Sequence, residues 1–441
     1  MDFNIDRLLD RLIALTPEQT RRYIVAYSGG CDSQVLLHAL ASLKNHLPGE
    51  VLAVHINHGL QPEAALWAAH CAESCRSLEI PLETISLELE PEPGESIEAV
   101  AREARYAAIQ GLVKPSDVLL TAHHQDDQAE TLLLQLFRGA GLRGMAAMPE
   151  VATFGPGYLV RPLLGFSRSQ LDTYAAANGL SWVDDQSNLD QRYDRNFLRQ
   201  NVMPVLLERW PSLRQTLSRS ASYCAEAQNE IERVARDDLA LIRDAGTNTL
   251  AIPQLMALDN PRLRSALRLW IRESGCRAPN SRRMKQIVTE VLGAADDRNP
   301  VVSWEGSEIR RYRGQLYIMS TVNYPDPGLT LAWNGVDELT LPAGMGVLSC
   351  RTGEGGIDAA LWKQGKLSVG FRSEGVKCRP AGRGVSVTLK KLFQEQGVPP
   401  WQRGRIPLLF IDGQLAAVGS LTICEPFQAI AGAPGVLLRQ S

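Results

Sequence analysis

The chain has 441 residues, 44% of them hydrophobic, which predicts about three domains with substantial cores. It contains no apolar run of about eighteen residues and opens on a charged, amphipathic segment, so we expect neither a membrane span nor a signal peptide. Eight scattered cysteines indicate a reduced cytoplasmic protein, and a net charge of −3 means that any nucleic-acid binding must use local basic patches.

The first distinctive segment joins a short apolar run, a glycine pair and a helical pattern. Residues 23–27 predict a buried strand, and residues 33–46 predict the helix that follows. Between them lies SGGCDS, formed by Ser28, Gly29, Gly30, Cys31, Asp32 and Ser33. Paired glycines, serine hydroxyls and the free amides of a helix N-terminus favour an anion, so this loop is typical of a phosphate site.

The phosphate loop belongs to neither of two widespread kinds. The Walker pattern GxxxxGK[ST] is missing, and the GxGxxG at residues 139–144 follows a predicted helix, at 129–138, where a dinucleotide fingerprint needs a strand. SGGCDS instead resembles the PP-loop of the N-type ATP pyrophosphatases, which cleave ATP between its α- and β-phosphates. The simpler alternative is an ordinary strand-to-helix turn capped by Asp or Ser.

The first two hundred residues alternate between strand and helix patterns. Strands are predicted at residues 23–27, 51–57, 82–89 and 117–123, and helices at 33–46, 62–78 and 96–112. This alternation predicts an α/β fold with a doubly wound parallel sheet, whose ligands lie beyond the carboxyl ends of the strands.

Histidines and carboxylates concentrate at the predicted ligand edge of the sheet. The histidines at strand ends are His55, His58, His123 and His124, which could bind zinc, although no recognised ligand spacing accompanies them. The carboxylates are Asp32, Asp126, Asp127 and Glu130. Clustered around a polyphosphate they would repel one another unless they shared a cation, which favours Mg²⁺. Glu130 could instead be a first-turn helix residue favoured by the dipole.

Beyond Trp210 the pattern changes twice. Long helices run to about residue 243, a mixed segment ends near residue 317, and residues 321–328 resemble a linker before short, glycine-rich strand patterns. We therefore predict three domains: an α/β domain at 1–215, a helical middle domain at 216–325, and a small mixed, β-rich C-terminal domain at 326–441.

Three groups of basic residues suit RNA phosphates. Arg192, Arg195 and Arg199 recur at helical spacing, and a second basic run occupies residues 262–285. From residue 331 onward, twelve Lys and Arg stand against eight Asp and Glu, with Lys390, Lys391 and Arg403 among them. Each group alone could be a solvated surface, but together on an acidic chain they favour RNA.

Further motifs extend the likeness along the chain. They are VHINHGL (54–60), IEAVAREARY (97–106), TAHHQDDQAETLLLQLFRGAGLRG (121–144), RPLL (161–164), WVDDQSNLDQRYDRNFLRQNVMP (182–204) and KKLFQEQGVPPWQRGRIPLLF (390–410). In this order, after the PP-loop, they resemble the tRNA(Ile)-lysidine synthetases of the long bacterial type. The likeness covers nearly the whole chain and is least distinctive at residues 215–345.

This resemblance implies a two-step ligation. The wobble cytidine of CAU-anticodon tRNA(Ile) attacks the α-phosphate of ATP through O2, and pyrophosphate leaves. The ε-amine of free L-lysine then attacks C2, and AMP leaves. The two later domains would bind the tRNA. A homodimer is compatible with the resemblance, although no heptad pattern demands one.

The resemblance also implies roles for individual residues. The loop residues 28–33, together with His55 and Asn57, would bind ATP, and Asp32 and Asp127 would bind Mg²⁺. His123 and Arg105 are catalytic candidates. The base that deprotonates lysine stays open between His123, His124 and a carboxylate, and Arg102 or Arg105 could hold a phosphate or the lysine carboxylate.

Two other functions compete with this interpretation. A PP-loop tRNA thiolase would activate the base in the same way, but it generally needs a catalytic cysteine or a CxxC site. The sequence has no CxxC, and Cys31 is the one cysteine obviously near the loop. A small-molecule synthetase of the kind that makes GMP, NAD or asparagine would need no RNA-binding domain.

Overall fold

The computed structural model describes residues 2–57, 59, 63–87, 97–185, 190–295, 298–326, 328–371 and 375–441. It divides into two compact units, Met1–Ile231 and Glu232–Ser441, and the division falls within one long helix. The predicted boundaries of three domains stay predictions. Among the described residues, no helix combines the length and apolar character that a membrane span requires.

The first unit is an α/β domain. Its strands are β1 (Arg22–Ala26), β2 (Glu50–Asn57), β3 (Leu82–Ser86), β4 (Asp117–Leu120), β5 (Val151–Phe154) and β6 (Gly157–Val160). Its helices are α1 (Ile5–Leu15), α2 (Cys31–Leu43), α3 (Ala64–Ser77), α4 (Ile97–Leu112), α5 (Gln125–Phe137), α6 (Leu142–Met145), α7 (Arg168–Ala177), α8 (Asp194–Phe197) and α9 (Met203–Arg209), followed by the long α10 (Leu213–Ile242). A π-helical turn at Leu198–Val202 joins α8 to α9.

The sheet has the order β3-β2-β1-β4-β6-β5, and all its pairings are parallel except that of β5 with β6. Strand β1 lies at its centre and is apolar on both faces, as parallel strands are. Tyr23 and Val25 pack in the core with α1, α2 and α7, whereas Ile24 packs on the opposite face with Ile109 of α4. These two layers confirm the predicted doubly wound fold.

Strand β4 ends earlier, and helix α5 begins earlier, than the sequence predicted. β4 stops at Leu120. The amide of Thr121 still donates to the carbonyl of Val160 on β6 at 3.1 Å, and the amide of Gln125 donates to the carbonyl of Phe166 at 2.8 Å. His124 then caps α5, with its ring accepting from the amide of Asp126. The HHQDD sequence therefore forms a strand-to-helix turn at the carboxyl edge of the sheet.

The second unit begins with helices around a small sheet. After α10 come α11 (Ile252–Met256), α12 (Asn260–Glu273) and α13 (Ser281–Gln286), with a π-helical turn at Ile287–Leu292. The strands are β7 (Leu250–Ala251), β8 (Val301–Trp304), β9 (Ser307–Tyr312) and β10 (Gln315–Ser320), in an antiparallel sheet of order β7-β10-β9-β8. The core residue Trp270 of α12 is fully buried against this sheet. The predicted helical middle region is confirmed, and its mixed segment is this sheet.

The last part of the chain is built mainly of short antiparallel strands, as predicted. They are β11 (Thr330–Trp333), β12 (Leu339–Thr340), β13 (Val347–Glu354), β14 (Ile357–Asp358), β15 (Leu367–Gly370), β16 (Lys377–Cys378), β17 (Val387–Thr388), β18 (Leu408–Ile411), β19 (Gln414–Val418), β20 (Thr422–Ile423) and β21 (Pro434–Gln440). They form sheets of order β11-β15-β18-β19-β20 and β12-β13-β21-β14 and the hairpin β16-β17. The helices are α14 (Ala359–Gln364), α15 (Leu389–Glu395) and α16 (Pro400–Arg403).

One ion pair joins the amino ends of the two central strands, β1 and β4. Nε of Arg22 on β1 lies 3.1 Å from both carboxylate oxygens of Asp117 on β4, and the amide of Lys114 donates to Asp117 at 2.8 Å. Asp117 is only 2% exposed. Burial alone would raise the pKa of Asp117, but Arg22 and the Lys114 amide outweigh burial and lower it.

Substituting Asp117→Asn should therefore destabilise the first unit, by about 2–4 kcal/mol at pH 7, because Arg22 loses its buried partner. Since the folded pKa of Asp117 is lowered, its contribution is present above the unfolded pKa of about 4 and is lost as the pH falls through the folded value. Chemical denaturation of wild type and variant at several pH values checks both effects. The variant should have a lower free energy of unfolding at pH 7, and this free energy should fall less on acidification than that of the wild type.

The exposed pair of Glu73 and Arg76, with side chains 70% and 73% exposed, supplies the control. Glu73→Gln should change the free energy of unfolding by less than about 0.5 kcal/mol. Equal losses in the two variants would contradict the special role of Asp117.

Candidate functional site

The SGGCDS loop connects β1 to α2 at the carboxyl edge of the sheet. Gly29 has a φ of +83°, and a Cβ built on it would lie 2.9 Å from Sγ of Cys71 on α3. Both the backbone conformation and the close packing therefore require glycine at this position. The carbonyl of Gly29 accepts from the amide of Val183 at 3.0 Å, which ties the loop to the later part of the unit.

The start of α2 offers unpaired backbone amides. Gly30 is the N-cap and has no side chain to accept from the first turn, whose amides have no partner within the helix. Oγ of Ser33 donates to the carbonyl of Gly30 at 2.9 Å and lies 3.1 Å from Oγ of Ser28. Amides, hydroxyls and the positive end of the helix dipole thus converge where an anion would bind.

A cluster of four carboxylates and four guanidinium groups lies beside this loop. The acids are Asp32, Asp126, Asp127 and Glu130, and the arginines are Arg168, Arg195, Arg199 and Arg214. The sequence predicted the four acids to lie together, and the structure brings them together. Because each acid has an arginine partner, the four negative charges are balanced within the protein.

Arg195 and Arg199 face this acidic cluster, contrary to their predicted place on an RNA-binding surface. Arg199 holds Glu130 with two nitrogens, at 2.7 and 2.9 Å, and lies 3.0 Å from Asp127. Nε of Arg195 lies 2.9 Å from Glu130. Since Glu130 is 4% exposed, its charge requires these partners. Arg192 differs from both, because it is exposed and pairs with Asp190.

His124 lies between two of the carboxylates. Its Nδ1 accepts from the amide of Asp126 at 3.2 Å, while its Nε2 lies 3.6 Å from Asp32 and 3.4 Å from Asp127. Burial alone would lower the pKa of His124, but these carboxylates raise it. Burial would likewise raise the pKa of Asp127, but His124 and Arg195 lower it, so Asp127 stays a carboxylate.

His123 has a different environment from its neighbour. Nδ1 of His123 lies 2.9 Å from Oγ1 of Thr121. Burial lowers the pKa of His123 to about 4; the charge of Asp127 opposes this shift, and those of Arg161, Arg195 and Arg102 add to it. His123 is therefore neutral at pH 7, and a group of such low pKa is a weak base, which argues against its predicted use as the proton acceptor.

Arg102 and Arg105 are both exposed on α4. The guanidinium of Arg102 lies over the ring of Tyr106, 5.3 Å from its centroid, and its charge reaches His123. The effect of this charge on His123 is smaller than those of burial, Asp127, Arg161 and Arg195. The catalytic role of Arg105 stays a prediction.

The end of β2 supports the phosphate loop from the side. Nδ1 of His55 lies 3.0 Å from the carbonyl of Tyr27 and 3.5 Å from Sγ of Cys71, and burial lowers the pKa of His55. Asn57 accepts from the amide of Gly59 at 2.9 Å. His58 lies outside the described residues. Within the described part of the chain, no group of three or more His, Cys, Asp or Glu side chains forms a metal site, so the zinc alternative gains no support.

One carboxylate oxygen in the cluster is left without a partner. Oδ2 of Asp32 lies 2.8 Å from Nη1 of Arg168, but Oδ1 is buried and makes no hydrogen bond with any residue that the structure describes. A buried oxygen without a partner is costly unless something binds it. Asp32 and Asp127 both lie near Nε2 of His124, and carboxylate oxygens are the ligands that a hard cation prefers.

The basic residues predicted near the C-terminus differ in exposure. Lys390 and Lys391 are exposed in the first turn of α15. Arg403 is only 8% exposed and donates from Nε to the carbonyl of Val398 at 2.9 Å. Its guanidinium thus serves the fold of this region, and the RNA contact of Arg403 stays a prediction that its burial does not favour.

Sequence reasoning missed Arg168 and Arg214. Arg168 begins α7, and Ser167 with Gln170 forms the capping box of that helix. The S-x-x-Q spacing was a usable signal for the helix start. No local signal identifies Arg214 as a partner of Asp126, because the two residues come from distant segments of the chain.

Three family models match the chain. A PP-loop domain matches residues 1–206, a TilS substrate-binding domain matches residues 250–317, and a TilS substrate C-terminal domain matches residues 367–439.

Named relatives match over most of their length. A tRNA(Ile)-lysidine synthase from Coxiella burnetii is 44% identical over 97% of this chain and 94% of its own. That of Methylococcus capsulatus is 45% identical over 93% of this chain and 94% of its own.

Two solved structures are distant matches. The U34-tRNA thiolase NcsA from Methanococcus maripaludis, solved with its [4Fe-4S] cluster, is 14% identical over 50% of this chain and 78% of its own, with a TM-score of 0.43. The TilS C-terminal domain is 22% identical over 26% of this chain and 96% of its own, with a TM-score of 0.23.

Substituting Gly29→Ala should lower the stability of the first unit by about 1–3 kcal/mol, because alanine is strained at this φ and its Cβ would meet Cys71. Gly30→Ala is the matched control, since its φ is −76° and its nearest neighbour would lie at 3.6 Å. Thermal unfolding without ligand should separate the two variants. Equal melting temperatures would contradict this expectation, because they would show that neither the backbone strain nor the contact with Cys71 lowers the stability.

Proposed function

Because this chain belongs to the tRNA(Ile)-lysidine synthase family, we propose that it joins the ε-amine of free L-lysine to C2 of the wobble cytidine in CAU-anticodon tRNA(Ile). ATP would be cleaved to AMP and pyrophosphate, through a cytidine adenylated on O2. The modified base would then read AUA where the unmodified base reads AUG. The reaction would take place in the cytoplasm.

The observation that carries this proposal is the placement of the acid and arginine cluster against the open amides of the phosphate loop. Arg168 makes this connection, since it contacts Asp32 within the loop and Asp172 on its own helix, each at 2.8 Å. Phosphoryl transfer depends on orientation and on neutralising charge, and it needs no covalent residue of the protein. The loop amides can orient the phosphates, and the arginines beside them can neutralise their charge.

For the first step, we assign the pyrophosphate half of ATP to the amides and hydroxyls of residues 28–33. Asp32 and Asp127 would bind Mg²⁺, and the strongest support is Oδ1 of Asp32, which has no partner within the described part of the chain. Bound there, magnesium would neutralise developing charge on the phosphates. Arg195 and Arg199, which stay paired with the buried Glu130, would add positive charge beside the phosphates.

For the second step, the lysine ε-amine must be neutral when it attacks. His123 is poorly suited to accept its proton because of its low pKa. We propose that neutral His123 instead acts as a hydrogen-bonding partner of the amine, and that His124 or a carboxylate of the cluster accepts the proton that the amine loses. The contact of His123 with Thr121 holds the ring in one orientation.

For tRNA binding, we propose the exposed lysines of α15, together with Arg264 and Arg268 on the outer face of α12. These two arginines are exposed, whereas Arg262 and Arg272 of the same helix pair with Asp238 and Glu232. A homodimer remains part of the proposal, and sedimentation of the purified chain would test it.

A thiolase activity has less support. Cys31 is the cysteine within the loop, and a sulfur carrier would need its thiolate. Burial, opposed by the charge of Arg168 and assisted by those of Asp32 and Asp172, raises the pKa of Cys31 to about 12, so it stays a thiol at pH 7.

Incubating the chain with ATP, Mg²⁺, radiolabelled lysine and a CAU-anticodon tRNA(Ile) transcript should label the RNA and release AMP and pyrophosphate. Asp32→Asn should lower the rate at least about 100-fold, because it weakens the proposed cation site. A methionine tRNA with the same anticodon serves as the control substrate and should stay unlabelled. AMP formation without lysine incorporation would contradict the proposed nucleophile and direct the search to sulfur and ammonia donors.

Replacing Lys390 and Lys391 together by glutamine should raise the Kd for tRNA about 10-fold at moderate salt. The slope of log Kd against log salt should fall by about one to two, as two phosphate contacts are lost. Filter binding at several salt concentrations measures both quantities. Lys363→Gln with Lys366→Gln removes the same charge from other exposed positions of the second unit and should have little effect. Equal losses in both pairs would contradict a specific contact.

A further inference from the structure

Asp126 and Asp127 are neighbours in sequence but bind different partners. Asp127 faces His124, Arg195 and Arg199, within the proposed reaction site. Asp126 accepts through Oδ1 from the backbone amide of Arg168 at 3.2 Å, and its Oδ2 lies 2.6 Å from Nε of Arg214. The adjacent carboxylates therefore perform different tasks.

The contact with Arg168 connects Asp126 to the phosphate loop. Arg168 is the first residue of α7, and its guanidinium reaches Asp32. By holding the backbone of Arg168, Asp126 fixes the point from which that side chain extends. The bond from the amide of Gln125 to the carbonyl of Phe166 joins the same two segments next to it.

The contact with Arg214 connects Asp126 to a third helix. Arg214 is the second residue of α10, where the helix dipole disfavours a positive charge. The carboxylate of Asp126 offsets this cost and is itself favoured at the start of α5. One side chain thus ties together the N-terminal ends of α5, α7 and α10.

We infer that Asp126 is a positioning residue for the adenylation step, in which it aligns Asp127 and Arg168 without touching ATP or RNA. This inference rests on the proposed function. The alignment matters because a displacement of about 1 Å at a reacting group can cost about 100-fold in rate. Loss of the Asp126 charge should therefore slow the chemical step and leave the affinity for ATP largely unchanged.

Asp126→Asn is the principal variant, because its amide oxygen can still accept from Arg168 while the negative charge opposite Arg214 is lost. Arg214→Gln removes the same ion pair from the other side, at a side chain that is 40% exposed and hence tolerant of change. Arg214→Lys retains a cation. Rapid-quench single turnovers with saturating ATP, lysine and tRNA(Ile) give a rate constant and an amplitude of pyrophosphate formation, the product of the adenylation step, for each variant.

We expect the rate constant to fall about 10-fold in Asp126→Asn and in Arg214→Gln, with amplitudes and the Kd for ATP within about twofold of wild type. The double variant should be no slower than Asp126→Asn alone, because both changes remove one interaction. Arg214→Lys should recover most of the rate. Asp127→Asn, as the comparison, should form almost no pyrophosphate.

Several results would overturn the inference. A lower amplitude at an unchanged rate constant would show that Asp126 serves stability alone. A Kd for ATP raised about 10-fold at an unchanged rate would place Asp126 in contact with the nucleotide. Wild-type behaviour of Asp126→Asn beside an active wild type would refute the inference and spare the proposed function. A wild-type chain that forms no pyrophosphate with tRNA(Ile) would refute the proposed function and this inference with it.

Discussion

Charges that are buried away from water must be paired, and this requirement organises the surroundings of the phosphate loop. The acids come from α2 and α5, whereas their arginines come from α7, the turn around α8 and the start of α10. Each pair draws a distant part of the chain to the carboxyl edge of the sheet. The same requirement operates at the other end of the central strands, where Arg22 pairs with Asp117. A site for a highly charged substrate is thus assembled by the protein's own opposite charges before any substrate binds.

The sequence was most informative where local chemistry decides local structure. The apolar run at residues 23–27 predicted β1, because a central parallel strand is buried on both faces. The glycine pair predicted a phosphate loop, and Gly29 does adopt a left-handed conformation. The strand predicted to end at His123 stops at Leu120. The sequence could not show this, because a histidine that caps a helix, as His124 does, cannot be told in sequence from one that ends a strand.

Partners that lie far apart in sequence could not be predicted from spacing. The run from Arg192 to Arg199 has the period of a helix face, but period alone does not say whether that face meets RNA or a buried glutamate 69 residues away. The pairing of β13 with β21 joins residues that are about 80 to 90 positions apart, a separation that no local pattern reveals. Arg403 shows the same difficulty, since a basic residue among other basic residues can be an internal donor to a carbonyl.

The packing of Gly29 on Cys71 makes the phosphate loop depend on a residue forty-two positions beyond it. The thiol of Cys71 is fully buried and packs directly against Gly29. A larger side chain at position 71 would displace the loop, as a change within SGGCDS would, although position 71 belongs to no motif. Transplanting the hexapeptide into another strand-turn-helix would therefore fail unless a small residue on the neighbouring helix were carried with it. In a design, the loop and the small residue that packs against it must be transferred together.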